Sequence, residues 1–373
     1  MTDGPDVAVV GAGIVGCALA AFLAEAGASV LLVERDEVGA AASGRNSGIL
    51  QHPMDAALVP LFDESLRHYG ELGEHGFELP AEPAGVLLLG ERALEAELAA
   101  LRSFPELRAE ALATGEPAAL EPAVAADIAG VRLHTGYPVG PSAATRAFAA
   151  RAIAAGTRLE IGAEAALAAG GLTVGEARRP AGAVVLAAGP WTPALLDPTG
   201  AWRPIAPLWG VVTEVRLEAP PRHALEESGI PDQAGFAGAR GEGDELGARG
   251  DPPPLFSLVT AGAVSALGST FLREHPDAEA LAPRLRDRGA RFVPALARTP
   301  TGAVRACARP LSADGLPLLG RAPGRDAVFV AAGHGPWGVS LGPASARLVA
   351  DRVLGRGDGP PAAFDPARFP APM

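Results

Sequence analysis

No lysine occurs among the 373 residues, so all 31 basic side chains are arginine, set against 43 acidic ones for a net charge of −12. That absence excludes Schiff-base chemistry, pyridoxal phosphate attachment and the lysines of P-loops and kinases. Cysteine occurs twice, as Cys17 and Cys307, too few for a disulfide framework or a four-cysteine zinc site, so a reducing, cytoplasmic setting is expected. Tyrosine is limited to Tyr69 and Tyr137, and asparagine to Asn46. Histidines are too scattered to predict a metal centre. An acidic pI near 5.1 argues against nucleic acid as a partner, because phosphate neutralisation needs a basic surface. Val7 to Ala24 carries no charge, yet Asp3 and Asp6 precede it and Gly11, Gly13 and Gly16 interrupt it, so no membrane span is expected. No internal repeat is visible.

Val7-Ala-Val-Val10 reads as a fully buried parallel strand. Gly11-Ala-Gly-Ile-Val-Gly16 follows at once, then a helix over Cys17–Ala26, a stop at Gly27, and a second strand over Ser29–Val33 that closes on Glu34. Strand, G-x-G-x-x-G, helix, strand and acid in that order form a dinucleotide-binding unit. Gly11 permits the tight turn, Gly13 admits a pyrophosphate to the backbone, and Gly16 lets helix and strand pack closely. The helix N-terminus offers N–H donors and positive potential to the phosphates, and Glu34 offers acceptors to ribose hydroxyls.

The glycine loop does not by itself separate NAD from FAD. Directly after the acid comes a small-residue loop, Val38-Gly-Ala-Ala-Ala-Ser-Gly-Arg-Asn-Ser-Gly-Ile-Leu50. With it, the chain resembles the D-amino-acid oxidase-like family of FAD-dependent oxidoreductases, which includes glycine and sarcosine oxidases and D-amino acid dehydrogenases. Val184-Val-Leu-Ala-Ala-Gly-Pro-Trp-Thr192 is similar to that family's buried strand with a small-Gly step and an aromatic over the cofactor. Arg309-Pro-Leu-Ser-Ala-Asp-Gly-Leu-Pro-Leu-Leu-Gly320 is similar to its R-P-x-x-x-D-G-x-P signature, and Val328-Phe-Val-Ala-Ala-Gly-His-Gly-Pro-Trp-Gly338 to its last strand and G-H-G-x-x-G loop.

The resemblance implies a Rossmann-like α/β FAD-binding domain joined to a smaller α+β substrate domain built on an antiparallel sheet. It implies cofactor contacts from Gly11, Gly13, Ile14, Val15, Gly16, Glu34, Arg35, Ser43, Arg45, Asn46, Ser47, Gly48 and Ala165. Further contacts are implied from Ala188, Gly189, Trp191, Cys307, Gly333, His334, Gly335, Pro336, Trp337 and Gly338. A helix over Pro343–Leu354 is expected to point its N-terminus at the electron-poor end of the flavin.

The FAD-binding domain is expected to be discontinuous, over 1–80, 138–205 and 305–373, with the substrate domain over 81–137 and 206–304. Val86–Leu89, Val211–Leu217, Leu255–Val259 and Val264–Leu267 are its strand candidates, and Glu91–Arg102 a helix. Asp232–Pro254, with six glycines and no apolar periodicity, reads as a surface loop, its use as a lid left open. Glu226-Glu227 reads as a solvated face.

Oxidising an amine or amino acid requires its α-hydrogen to be aimed at flavin N5, and the protein supplies position and electrostatics. A carboxylate on such a small-molecule substrate needs a fixed cation, and guanidinium offers a two-pronged one. Arg309 matches the family arginine that grips it. Trp209 and His52 are further pocket candidates, His52 as an aid to amine deprotonation. Cys307 stands seven residues before Asp314, where covalent members of the family bond the flavin; the Ala-Arg-Pro that follows resembles the non-covalent branch, so non-covalent FAD is expected. With no lysine beside the flavin, the electron acceptor is oxygen or another molecule. A 2-hydroxy acid dehydrogenase and a flavin-binding subunit of a heteromeric dehydrogenase stand as alternatives, and homo-oligomerisation is left open.

Overall fold

Two sheets share the chain. A computed structural model describes residues 4–91, 94–229 and 253–369. The six-stranded sheet runs in spatial order Leu318–Arg321, Val328–Ala332, Ala183–Leu186, Val7–Val10, Val30–Val33 and Arg158–Glu160. Its pairs are parallel except the first, Leu318–Arg321 against Val328–Ala332. Val7–Val10 and Val30–Val33 are buried along their whole length, as expected of strands covered on both faces. One cover is the helix pair Ile14–Glu25 and Gly338–Val353, which pack on each other and on the helices Ala143–Ala154 and Val59–Gly70. The other is the three-stranded sheet of Ala165–Ala168, Gly171–Val174 and Ala177–Pro180, whose Leu172 joins Leu31 and Leu186 in a second core.

The eight-stranded sheet runs Val304–Ser312, Ile205–Val215, Val264–Gly268, Ser257–Ala261, Ala224–Glu227, Val86–Gly90, Ala129–Leu133 and Glu110–Leu112. It is antiparallel apart from one pair, Ala224–Glu227 with Val86–Gly90. A long sequence separation explains the exception, since a parallel neighbour needs a crossover rather than a hairpin. Phe256 stacks on Phe292 in this sheet's core, with ring centroids 4.9 Å apart. Val304–Ser312 pairs with Ile205–Val215 over nine residues, so Cys307 and Arg309 stand on this sheet and reach toward the other one.

The helix expected from Cys17 starts at Ile14, because Gly13 holds the extended backbone that ends the loop. The helix expected over Pro343–Leu354 starts five residues earlier, at Gly338. Pro343 lies inside it and has no N–H for the Val339 carbonyl. The Tyr69 hydroxyl donates to that carbonyl instead, and Tyr69 is fully buried in doing so. The helix expected over Glu91–Arg102 is shorter, Glu95–Leu101. The glycine-rich stretch Asp232–Pro254 lies outside the described residues apart from its last two prolines. Among the described residues, no helix is long and apolar enough to cross a membrane.

Candidate active site

The glycine loop is held from three sides. Gly11 adopts φ +103°, and a Cβ there would meet the Ala187 carbonyl oxygen at 2.6 Å. Glu34 accepts from the Ala12 N–H at 2.7 Å and the Asp36 N–H at 3.0 Å, tying the loop to the end of the second strand. Ser43 Oγ accepts from the Ile14 N–H at 3.0 Å and so stands in for a helix cap. Gly16 packs against the Gly11 carbonyl, off the slot, where a Cβ would collide with backbone.

A long slot opens over this loop. Gly11, Gly13, Ile14, Val15, Glu34, Arg35, Ser43, Asn46 and Ala165 line it, together with Ala188, Gly189, Trp191, Cys307, His334, Gly335, Pro336 and Gly338. At one mouth Arg35 lies over the half-exposed ring of Trp191, 5.0 Å from its centroid. At the other end His334 is buried, its Nε2 without a partner among the described residues, and burial lowers its pKa to about 4. The first-turn N–H groups of Ile14–Glu25 have no intrahelical acceptor, and no acidic side chain competes there.

The remaining sequence candidates lie beside the slot. Asn46 donates to the carbonyls of Ala42 and Ser43 and accepts from the Gly48 N–H, so the sole asparagine shapes the loop that Gly48 completes. Arg45 donates to the Ala306 carbonyl at 3.5 Å. Gly333 packs under Leu318 and Ser312.

A second cavity of about 370 Å³ joins the slot at Asn46, Arg309, Pro336 and Val339. Its floor is a cross-strand row of the eight-stranded sheet, Leu88, Glu226 and Ser257, with Ser269 and Phe271 beyond. Its roof comes from Ser47, Gln51, Trp337 and Ser340, and its side from Leu101 and Phe104. The Arg309 guanidinium lies across Gly210 of the neighbouring strand, where a Cβ would fall 2.2 Å from Nη2. It donates to the Thr270 carbonyl at 2.8 Å and to Ser269 Oγ at 2.9 Å, and covers Phe271. No carboxylate among the described residues pairs with it. Burial lowers its pKa, which measures the desolvation that an arriving anion would offset.

His52 is not brought to either cavity. Its Nε2 sits 3.0 Å from Glu106 Oε1, and its ring packs between Phe62 and Phe104, the latter a lining residue of the second cavity. Trp209 packs on His275 instead of lining the pocket. Glu226-Glu227 is not a solvated face. Glu227 is buried in an ion pair with Arg288 and accepts from the Phe256 N–H, while Glu226 faces the cavity and accepts from Gln51 Nε2 at 3.1 Å. Burial raises the Glu226 carboxyl above its ordinary value. Gln51, Ser269, Gly210 and Glu226 carried no periodic signal; only the Trp-Gly step at 209–210 hinted at space kept for a neighbour.

A glycine-loop slot that continues into a cavity bordered by an arginine with no acidic partner among the described residues is the arrangement of a nucleotide-cofactor protein with room for a small molecule beside the cofactor. The comparisons narrow this. A family model described as FAD dependent oxidoreductase matches residues 6–352, and the chain belongs to that family. It is 28% identical to a glycine oxidase of Geobacillus kaustophilus over 95% of this chain and 94% of that protein. It is 30% identical to a glycine oxidase of Pseudomonas aeruginosa over 94% and 95%. The solved structure of the Geobacillus kaustophilus glycine oxidase superposes with a TM-score of 0.82 at 26% identity, covering 98% and 99% of the two chains. An L-proline dehydrogenase from P. horikoshii shares the fold, with a TM-score of 0.80 at 20% identity over 99% and 98%.

The cofactor is therefore FAD, and the slot fits it. The glycine loop leaves no room for a side chain at Gly11, the positive end of the helix Ile14–Glu25 suits a pyrophosphate, and His334 Nε2, without a partner among the described residues, is open to a polar atom. Glycine-loop residues and Ser43 would hold the phosphates, Glu34 the ribose, and the stretch from Cys307 to Pro310 with His334–Pro336 the ring end.

Proposed function

We propose that this enzyme oxidises a small amine or amino acid bearing a carboxylate. The observation that carries the reading is Arg309, a buried guanidinium without an acidic partner among the described residues, placed where slot and cavity meet. When bound, FAD would supply the two-electron acceptor for a hydride from the substrate carbon, with oxygen or another molecule as the final acceptor. The protein's own work is placement. Arg309 fixes the carboxylate in a two-pronged grip, and its bonds to Ser269 and Thr270 fix Arg309. Leu88, Leu101, Phe104 and Trp337 keep water from the rest of the substrate. The amine releases its proton to solvent and the carbon gives up its hydride; the resulting imine takes up water to give a carbonyl compound and ammonia or a primary amine.

The test is anaerobic bleaching of the bound flavin by a panel of amines, amino acids and 2-hydroxy acids, with ammonia assayed afterwards. Bleaching by amino acids with imine-derived products is expected. Bleaching confined to hydroxy acids would replace this reading with alcohol oxidation, and bleaching by nothing until a second protein is added would make the chain a subunit.

A further inference from the structure

A two-carbon amino acid would leave most of the 370 Å³ cavity empty, and the far end of that cavity is not apolar. Glu226 stands there with one amide donor, Gln51 Nε2, on Oε2 and no cation among the described residues on either oxygen. Its neighbours on the cavity wall are Leu88, Met54, Leu101 and Phe104. A carboxylate in such surroundings is costly unless something pairs with it. Other buried carboxylates in and beside this sheet are satisfied: Glu227 by Arg288, and Glu121 by His223 and the backbone N–H groups of Arg222 and His223. Glu97, another lining residue, on the helix Glu95–Leu101, also has no cationic partner among the described residues. Glu97, Glu227 and Ser228 also line a further pocket beside Glu91 and Arg288.

The sheet fixes the spacing. Arg309 is anchored at Ser269, which follows Gly268; Gly268 pairs with Ser257, and Ser257 pairs with Glu226. Two strand spacings, about 10 Å, therefore separate the strand that anchors the cation from the strand that carries the lone acid. Resting on the proposed amino-acid oxidation, we infer that the substrate is an amino acid with a cationic side chain, an ammonium or guanidinium that Glu226 receives, with Glu97 also on the cavity wall, while Arg309 holds the α-carboxylate. Glu226 is then a specificity-determining residue. Its carboxylate gains the partner it lacks.

The experiment uses the FAD-loaded enzyme and both enantiomers of lysine, norleucine, arginine and citrulline, reading kcat/KM for flavin reduction. Lysine over norleucine and arginine over citrulline are expected to lead by about tenfold or more, as a desolvated charged pair implies. In Glu226→Gln that ratio should fall toward one. Flavin content and melting temperature show whether the variant is folded, and inhibition of the wild type supplies a test without any variant. There, 5-aminopentanoate and 6-aminohexanoate should compete about tenfold more tightly than pentanoate and hexanoate. Equal or better reduction by norleucine and citrulline, or equal inhibition by the plain alkanoates, overturns the inference and leaves amino-acid oxidation standing. Reduction by hydroxy acids alone overturns both.

Discussion

Around the glycine loop, the groups facing the slot are N–H groups and small residues close together in the sequence, from Gly11 to Gly13 and from Ser43 to Asn46. The adjoining cavity is assembled differently. Gln51, Leu88, Glu226, Ser257, Ser269 and Arg309 come from six separate stretches and meet only through sheet register. The first region is backbone shaped by glycine, so a single added side chain should destroy it. The second is a set of side chains, so losing one should weaken one function and spare the rest.

Gly13→Leu is the severest way to break that contrast. Its Cβ would meet only Ser43 Oγ, at 3.1 Å, so the side chain projects into the slot while the loop survives. Complete loss of bound flavin is expected, with the chain still folded, read from absorbance and circular dichroism. A yellow, fully occupied variant would show that the pyrophosphate does not lie over this loop.

Arg309→Leu is next. An anion facing an apolar wall in place of a guanidinium should lose about 2–5 kcal/mol of binding, measured on the flavin-loaded fraction of the variant. Gly210→Val sharpens the point, since its side chain would occupy the place of the guanidinium. It should reproduce the Arg309→Leu defect from the neighbouring strand. Normal apparent affinity in either variant, from anaerobic titration of flavin reduction, would make Arg309 structural.

The two regions should also respond to pH with opposite sign. His334, at the slot, has a native pKa near 4 against an ordinary 6.5, so between those values the unfolded chain takes up a proton that the native one refuses. Stability should fall by about 3 kcal/mol as pH drops across that window, in urea titrations of flavin-free protein. His334→Gln should flatten the fall. Glu226 is raised instead, so the native state holds its proton longer, and stability should decline as pH rises above its ordinary 4.5. Equal curves for wild type and both variants would refute the burial argument at each site.

What could be read in advance follows the same division. The dinucleotide unit was legible because its turn, helix start and acid are fixed by local backbone demands within Val7–Glu34. Cys307 and Arg309 were placed on one strand face by their spacing of two, and both border the slot. Glu226 was misread because a Glu-Glu pair in a four-residue strand has no apolar alternation to mark which face is inward. Its burial depends on Ser257 and Leu88, distant in sequence and brought beside it only by pairing. His52 was misplaced for the converse reason: proximity to the flavin loop in sequence said nothing of the Phe62 and Phe104 rings and the Glu106 carboxylate that hold it.

The smallest expected effect falls on the wall that both regions share. Val339 borders slot and cavity alike, and its carbonyl depends on the Tyr69 hydroxyl because Pro343 cannot serve it. Tyr69→Phe keeps the ring packed against Phe77 and Phe148 and removes only that donor. Leaving one buried acceptor unmet should cost about 1–3 kcal/mol of stability, seen as a lower melting temperature. Since the helix Gly338–Val353 carries wall residues for both sites, FAD affinity and substrate affinity should weaken together, each by less than about tenfold. A change confined to one of them would mean that the two walls move independently, and that the helix does not couple the slot to the cavity.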